Sequence, residues 1–155
     1  QKIKLVVTDI DGVWTDAKIY YTADGEHLKA FSYYDGMGTA LLSKANIRTA
    51  IITGENSQPV ARRAEKLKIE DVFLGIHDKL EVLESLMEKY KLDPSEVAYI
   101  GDDLNDYTVM QVAGLTAAPS STPAFHILKP DILLSRAGGD GAFREFADLI
   151  IASQQ

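Results

Sequence analysis

No cysteine occurs among the 155 residues. That excludes a disulfide scaffold, a cysteine nucleophile, a zinc ribbon and an iron–sulfur site, and it fits a reducing compartment. Basic residues are scarce, with Lys plus Arg at 16 against 23 Asp plus Glu, for a formal net charge of −7. A nucleic-acid binder presents a basic face, and this acidic chain shows no such stripe. No apolar run approaches the ~20 residues of a membrane-spanning helix. The first residues run directly into a strand, with no signal-peptide architecture. No linker, repeat or low-complexity tract divides the chain. These absences predict one soluble cytoplasmic domain over residues 1–155.

What is present is an alternating pattern. The apolar, β-branched run Ile3–Thr8 reads as a buried strand. Asp24-Gly25 separates two strand-like runs within residues 16–34, which predicts a β-hairpin. A helical pattern over Gly38–Ala45 precedes a second buried strand, Thr49–Thr53. Ser57 with Pro59 opens a helix running to about Leu67. Then follow a strand at Asp71–Leu74, an amphipathic helix at Lys79–Tyr90 and a strand at Val97–Ile100. Helix Asn105–Ala113, strand Leu115–Ala118, helix Ala124–Leu128, strand Ile132–Leu134 and helix Ala142–Ala152 complete the series. Strands alternating with helices predict an α/β fold, a Rossmann-like doubly wound parallel sheet, with the hairpin as an insertion.

In such sheets ligands bind beyond the carboxyl ends of the strands. The residues predicted there are Asp9, Asp11 and Gly12 after the first strand, and Thr53 and Gly54 after the second. Gly101, Asp102, Asp103 and Asp106 follow the strand Val97–Ile100, and Lys79 opens a helix after Gly75 and Asp78. Clustered carboxylates repel unless a cation sits among them, and hard oxygen donors suit Mg²⁺ beside phosphate. Thr53 and Lys79 can hold that phosphate by a hydroxyl and a point charge. Asp9 can attack phosphorus to form an aspartyl-phosphate, and Asp11 can protonate the leaving alcohol and later activate water. An isolated aspartate at a strand end is usually a turn former or a cap, and an isolated lysine a solvated charge. Their occurrence together, in order, argues for a site.

The runs Asp9-Ile10-Asp11-Gly12-Val13, Thr53-Gly54, Lys79 and Gly101-Asp102-Asp103-Leu104-Asn105-Asp106 resemble the four motifs of the haloacid dehalogenase-like phosphatase superfamily. The resemblance extends over essentially the whole chain. It is nearest the small capless branch acting on 3-deoxy-2-keto sugar acid phosphates. That branch is similar in Thr15-Asp16, Phe31, Asp35-Gly36, Gly38, Arg63, Gly75, Asp78 and Gly139-Asp140-Gly141-Ala142. The resemblance implies a fold without a cap domain. It implies Asp9 as nucleophile and Mg²⁺ ligand, Asp11 as general acid/base with its carbonyl on the metal, and Asp102 as the third ligand. Asp106 would stand one turn behind. Asp103 would either cap a helix or reach the metal through water. Within the branch, the octulosonate 8-phosphate group has Arg directly after Thr-Gly, where this chain has Glu55. Glu55 with Lys66 resembles the group acting on 9-phosphates of nine-carbon keto acids, while Asp35-Gly36-Met37-Gly38 resembles the octulosonate group. The eight-carbon substrate is the first expectation and the nine-carbon one the alternative. Arg63, common to both, suits a bidentate grip on the substrate carboxylate.

Two other classes place similar residues at strand ends. A phosphorelay receiver has its lysine last, whereas Lys79 here precedes the second acidic cluster, and it has no hairpin. A non-catalytic oligomerisation domain would have lost motif residues, which are all intact. His27, His77 and His126 lack metal-ligand spacing and read as structural. Gly138–Gly141 is followed by no Lys-Ser/Thr and is not a P-loop. The Tyr-rich hairpin is too small to be stable alone and would leave apolar area and unpaired edges exposed. Pairing with symmetry mates would cover it. The resemblance to that branch implies tetramers, so the expected assembly is a homotetramer in which a neighbour walls each site, with Arg63 and Lys66 nearest the boundary.

Overall fold

The computed structural model describes residues 2–155. Six strands form one parallel sheet: β1 (Leu5–Thr8), β4 (Arg48–Ile52), β5 (Asp71–Phe73), β6 (Val97–Ile100), β7 (Leu115–Ala118) and β8 (Ile132–Leu133). Their order is β5-β4-β1-β6-β7-β8, and every neighbouring pair is parallel. The remaining strands, β2 (Tyr20–Thr22) and β3 (Gly25–Leu28), make the antiparallel hairpin.

Both faces of the sheet are covered, because the central strands alternate side chains between two apolar layers. Val6, Ile51, Ala98 and Ile100 face one layer with α1 (Tyr33–Lys44), α2 (Gln58–Lys66) and α6 (Ala142–Ser153). Leu5, Val7, Ala50, Ile52, Val97 and Tyr99 face the other, with α3 (Lys79–Tyr90), α4 (Tyr107–Val112) and α5 (Phe125–Leu128). From β1 the chain first builds outward through β4 and β5, then returns to lay β6 on the other side of β1. The order therefore reverses beside β1. Thr8 pairs with both Ile51 and Ile100, so the residues after β1, β4 and β6 emerge together at that switch point.

Two boundaries differ from the sequence pattern. The first helix begins at Tyr33, inside the range read as hairpin, because Ser32 caps it by accepting from the Tyr34 backbone N–H at 3.2 Å. Its exposed tyrosines and two glycines conceal a helical start. The segment after β6 turns first as a 3₁₀ helix, Leu104–Asp106, before α4.

Asp35 in α1 is fully buried and accepts the Arg144 backbone N–H of α6 at 3.0 Å. Its carboxylate thus meets the positive end of α6. Among the described residues its Oδ2 has no hydrogen-bond partner. Burial pushes its pKa from 3.8 to about 6, outweighing the backbone N–H groups of α6 that pull it down. Between those two pH values the folded state holds the Asp35 proton that the unfolded state has lost, so stability falls as pH rises through that window. The difference corresponds to about 3 kcal/mol. Asp35→Asn is therefore expected to gain on the wild type as pH rises from 4 to 6.5 in urea titrations. A constant difference between the two proteins across that range would refute this.

Candidate active site

Asp9 follows β1 directly and is 3% exposed. Its Oδ1 accepts the Ile10 N–H at 2.7 Å and lies 3.1 Å from Lys79 Nζ. The backbone before it is fixed from behind: Thr8 Oγ1 donates to the Asp9 carbonyl and accepts the Trp14 indole N–H at 3.0 Å. Lys79 is the first residue of α3, where a positive charge opposes the helix dipole. Two carboxylates offset that: its Nζ also lies 2.9 Å from Asp106 Oδ1. Burial pulls the Lys79 pKa down, but Asp9 and Asp106 together lift it above its ordinary value. The ammonium is held charged.

Asp102 follows β6 and closes the cluster. One oxygen from each of Asp9, Asp102 and Asp106 lies within 4.8 Å of the others. Lys79 pairs with Asp9 and Asp106, and Asp102 adds a third carboxylate to the cluster. Burial, then Asp106, raise Asp9 well above the usual carboxylate range. Burial, then Asp106 and Asp103, raise Asp102 to about 7. An all-oxygen donor set with excess negative charge fits a hard divalent cation. Asp106 is already occupied: it accepts from Lys79, Tyr99 Oη and the Asp102 backbone N–H. Asp106 is the most heavily bonded of the three, so Asp9 and Asp102 are the carboxylates better placed to hold a cation, with Asp106 positioning from behind. Asp103 caps the 3₁₀ turn through the Leu104 N–H at 2.7 Å.

Gly12 adopts φ +85°, and a Cβ there would lie 1.7 Å from Asp102 Oδ2. Only glycine lets the loop after Asp11 pass so close to the second carboxylate. The loop is also pinned from outside. Gly139 donates to the Val13 carbonyl at 3.0 Å, and a Cβ on Gly138 would meet the Gly12 carbonyl at 1.9 Å. Of Gly138–Gly141, which by sequence reads equally as a plain turn, Gly138 and Gly139 pack directly on the Gly12–Val13 loop.

A cleft of about 310 Å³ opens on this cluster, lined by Asp9, Asp11, Thr53, Gly54, Glu55, Asp102, Asp103 and Asn105. Thr53 follows β4, with its backbone bonded to Phe73 and Ile76. Arg63 and Lys66 do not line the cleft. Lys66 is exposed, and Arg63 packs over α1, where a Cβ on Gly36 would lie 2.6 Å from its Nη2. Among the described residues Arg63 Nε is buried without a partner. His77 and His126 are exposed, and the His27 side chain lies outside the described residues. Three site residues escape the sequence reading. Asn105 stands inside the fourth motif but has no role assigned to it there, and Tyr99 sits within a segment assigned by pattern to a buried strand. Lys29, in the hairpin, reads as a solvated charge, yet it is buried against Asp11.

A haloacid dehalogenase-like hydrolase family matches residues 31–114, more than half of the chain. The chain belongs to that family. Within it, the 3-deoxy-D-manno-octulosonate 8-phosphate phosphatase KdsC of Salmonella typhi is 40% identical over 154 residues, 99% of this chain and 82% of the relative. The cobalt-bound form of the Haemophilus influenzae deoxy-D-mannose-octulosonate 8-phosphate phosphatase superposes with a TM-score of 0.94 at 38% identity, covering 99% of this chain and 90% of that one. The Moraxella catarrhalis enzyme, in complex with magnesium, phosphate and KDO, gives a TM-score of 0.90 at 37% identity over 99% and 94%. The fold is that of this hydrolase family, with the β2–β3 hairpin as a small addition to the parallel sheet. Family membership sets aside a phosphorelay receiver. No helix among the described residues is long and apolar enough to cross a membrane.

Proposed function

We propose that this hydrolase is a Mg²⁺-dependent phosphomonoesterase acting on a phosphorylated 2-keto-3-deoxy sugar acid, with 3-deoxy-D-manno-octulosonate 8-phosphate as the best-supported substrate. The observation that carries this reading is the over-charged Asp9–Asp102–Asp106 cluster around Lys79 at the sheet's switch point, in a chain about 40% identical to octulosonate 8-phosphate phosphatases. Asp9, Asp102 and the Asp11 carbonyl would hold Mg²⁺, which supplies positive charge for the phosphoryl oxygens.

Asp9 Oδ1 is engaged by Ile10 and Lys79, so attack falls to Oδ2. An Asp9–phosphorus bond forms while the bond to the sugar oxygen breaks, and Asp11 delivers a proton to that oxygen. Water then attacks the aspartyl-phosphate, losing its proton to Asp11, and Asp9 is regenerated. Lys79 and the Thr53 hydroxyl hold the transferring group through both steps.

One observation favours a second reading, a nine-carbon keto acid 9-phosphate: Glu55 lines the cleft at the position after Thr53-Gly54. Comparing kcat/KM for the two acid phosphates and simple sugar phosphates tests the assignment. The octulosonate ester is expected to lead, and equal turnover of simple sugar phosphates would overturn the substrate class. Glu55→Arg is expected to move the eight-to-nine-carbon ratio about tenfold toward the octulosonate, an effect the size of one charged contact. An unchanged ratio removes Glu55 from the site.

We further propose a homotetramer. Ile19, Tyr20, Tyr21 and Leu28 of the hairpin and Tyr33 of α1 are all exposed, an apolar patch suited to a second copy. In that assembly Arg63 and Lys66 would lie nearest the boundary between subunits. Light scattering of the active enzyme tests this, and an active species of 17.0 kDa mass would refute it.

A further inference from the structure

The hairpin contributes one side chain that behaves unlike its neighbours. Lys29 lies just beyond β3, among exposed residues, yet its own side chain is 0% exposed. Burying an ammonium is costly unless it is paired. Its Nζ donates to Asp11 Oδ1 at 2.5 Å and lies 4.0 Å from Glu26 Oε2. Glu26 is held in turn by Ser57 Oγ, which donates to its Oε1 at 2.9 Å. Ser57 is the N-cap residue of α2, but its side chain makes no cap bond. A hydroxyl suited to capping a helix is spent on the hairpin instead. The chain Ser57–Glu26–Lys29–Asp11 thus links the α2 N-terminus, through the hairpin, to the site.

We infer that Lys29 is the positioning residue for Asp11, anchoring Oδ1 so that Oδ2 alone faces the reacting oxygen. This rests on the reading of Asp11 as the proton carrier. In the first step the Oδ2–H bond breaks as its proton passes to the sugar oxygen, which takes the electron pair of the broken P–O bond. In the second step Oδ2 takes a proton from the attacking water as Asp9 leaves phosphorus. Both transfers need one fixed oxygen at a fixed distance. A carboxylate free to rotate about χ2 would present either oxygen, or neither. The hairpin is thereby part of the catalytic apparatus through a single buried contact.

The test compares Lys29→Met with wild type on a leaving-group series in saturating Mg²⁺, from a primary alkyl phosphate to 2,4-dinitrophenyl phosphate. A poor leaving group needs a proton and a good one does not, and kcat/KM reports the first transfer alone. Loss of about 100-fold is expected for the alkyl ester, and less than about fivefold for the dinitrophenyl ester. Adding Lys29→Met to Asp11→Asn is expected to change kcat/KM by less than about twofold, because Lys29 acts only through Asp11. A general loss of packing would lower all substrates alike and would lower the Asp11→Asn enzyme further. Either of those results overturns the inference while leaving the phosphatase reading intact. Absence of wild-type turnover on every monoester overturns both.

Discussion

Asp9→Asn is expected to lower kcat by on the order of 10⁴-fold or more while raising the melting temperature of the metal-free protein. The first effect follows from chemistry, since an amide oxygen does not form a stable bond to phosphorus and donates poorly to a cation. The second follows from the titration of the site. Burial and Asp106 raise the Asp9 pKa well above its unfolded value. Above that folded pKa, ionised Asp9 costs stability, and the cost disappears only as pH falls below the unfolded value. Asparagine keeps the acceptor that meets the Ile10 N–H and Lys79 but carries no charge. Function and stability therefore move in opposite directions, as at other strained functional sites. Mg²⁺ is expected to stabilise the wild type and to do so far less for the variant. Steady-state turnover and thermal unfolding with and without Mg²⁺ decide the matter. Retention of more than about one per cent of wild-type kcat rules out Asp9 as nucleophile.

The sheet was legible because its strands are buried on both faces and read as short apolar runs between polar turns. Leu5–Thr8, Arg48–Ile52 and Val97–Ile100 lie within a residue or two of their sequence assignments. The side chains at the strand ends were legible for the same reason, since a parallel sheet sends all its carboxyl ends to one edge. What was not legible depends on packing between elements distant in the chain. Nothing local marks Tyr99 as the donor to Asp106, because a buried strand residue reads only as core. Lys29 is indistinguishable by pattern from the solvated lysines around it, and its partner Asp11 lies 18 residues away. The clamp of Gly138–Gly139 on the Gly12 loop joins opposite ends of the chain. Arg63 illustrates the converse: its helix is placed correctly, but the guanidinium packs against Gly36 of α1 and is not among the residues lining the cleft.

Lys79→Met should be the most damaging single change to stability and should also abolish turnover. The Lys79 side chain is 1% exposed and its ammonium lies 3.1 Å from Asp9 and 2.9 Å from Asp106. Methionine fills most of the same volume, so the loss is electrostatic rather than a cavity. Removing one partner from a buried charge cluster costs about 3–5 kcal/mol, because the remaining carboxylates stay desolvated and unpaired. That cost has a predictable dependence on conditions. Burial raises the pKa of Asp9 and Asp102, so at low pH they take up protons and need less counter-charge; the deficit should be smaller at pH 5 than at pH 8. Mg²⁺ should recover part of the stability by restoring positive charge between Asp9 and Asp102. It should recover no turnover, since the phosphoryl group would still lack the lysine. Urea titrations at both pH values, with Mg²⁺ and with chelator, measure each of these. A variant within about 0.5 kcal/mol of wild type at pH 8 in chelator, the range of an ordinary surface change, would show that Lys79 is not what holds the acidic cluster together.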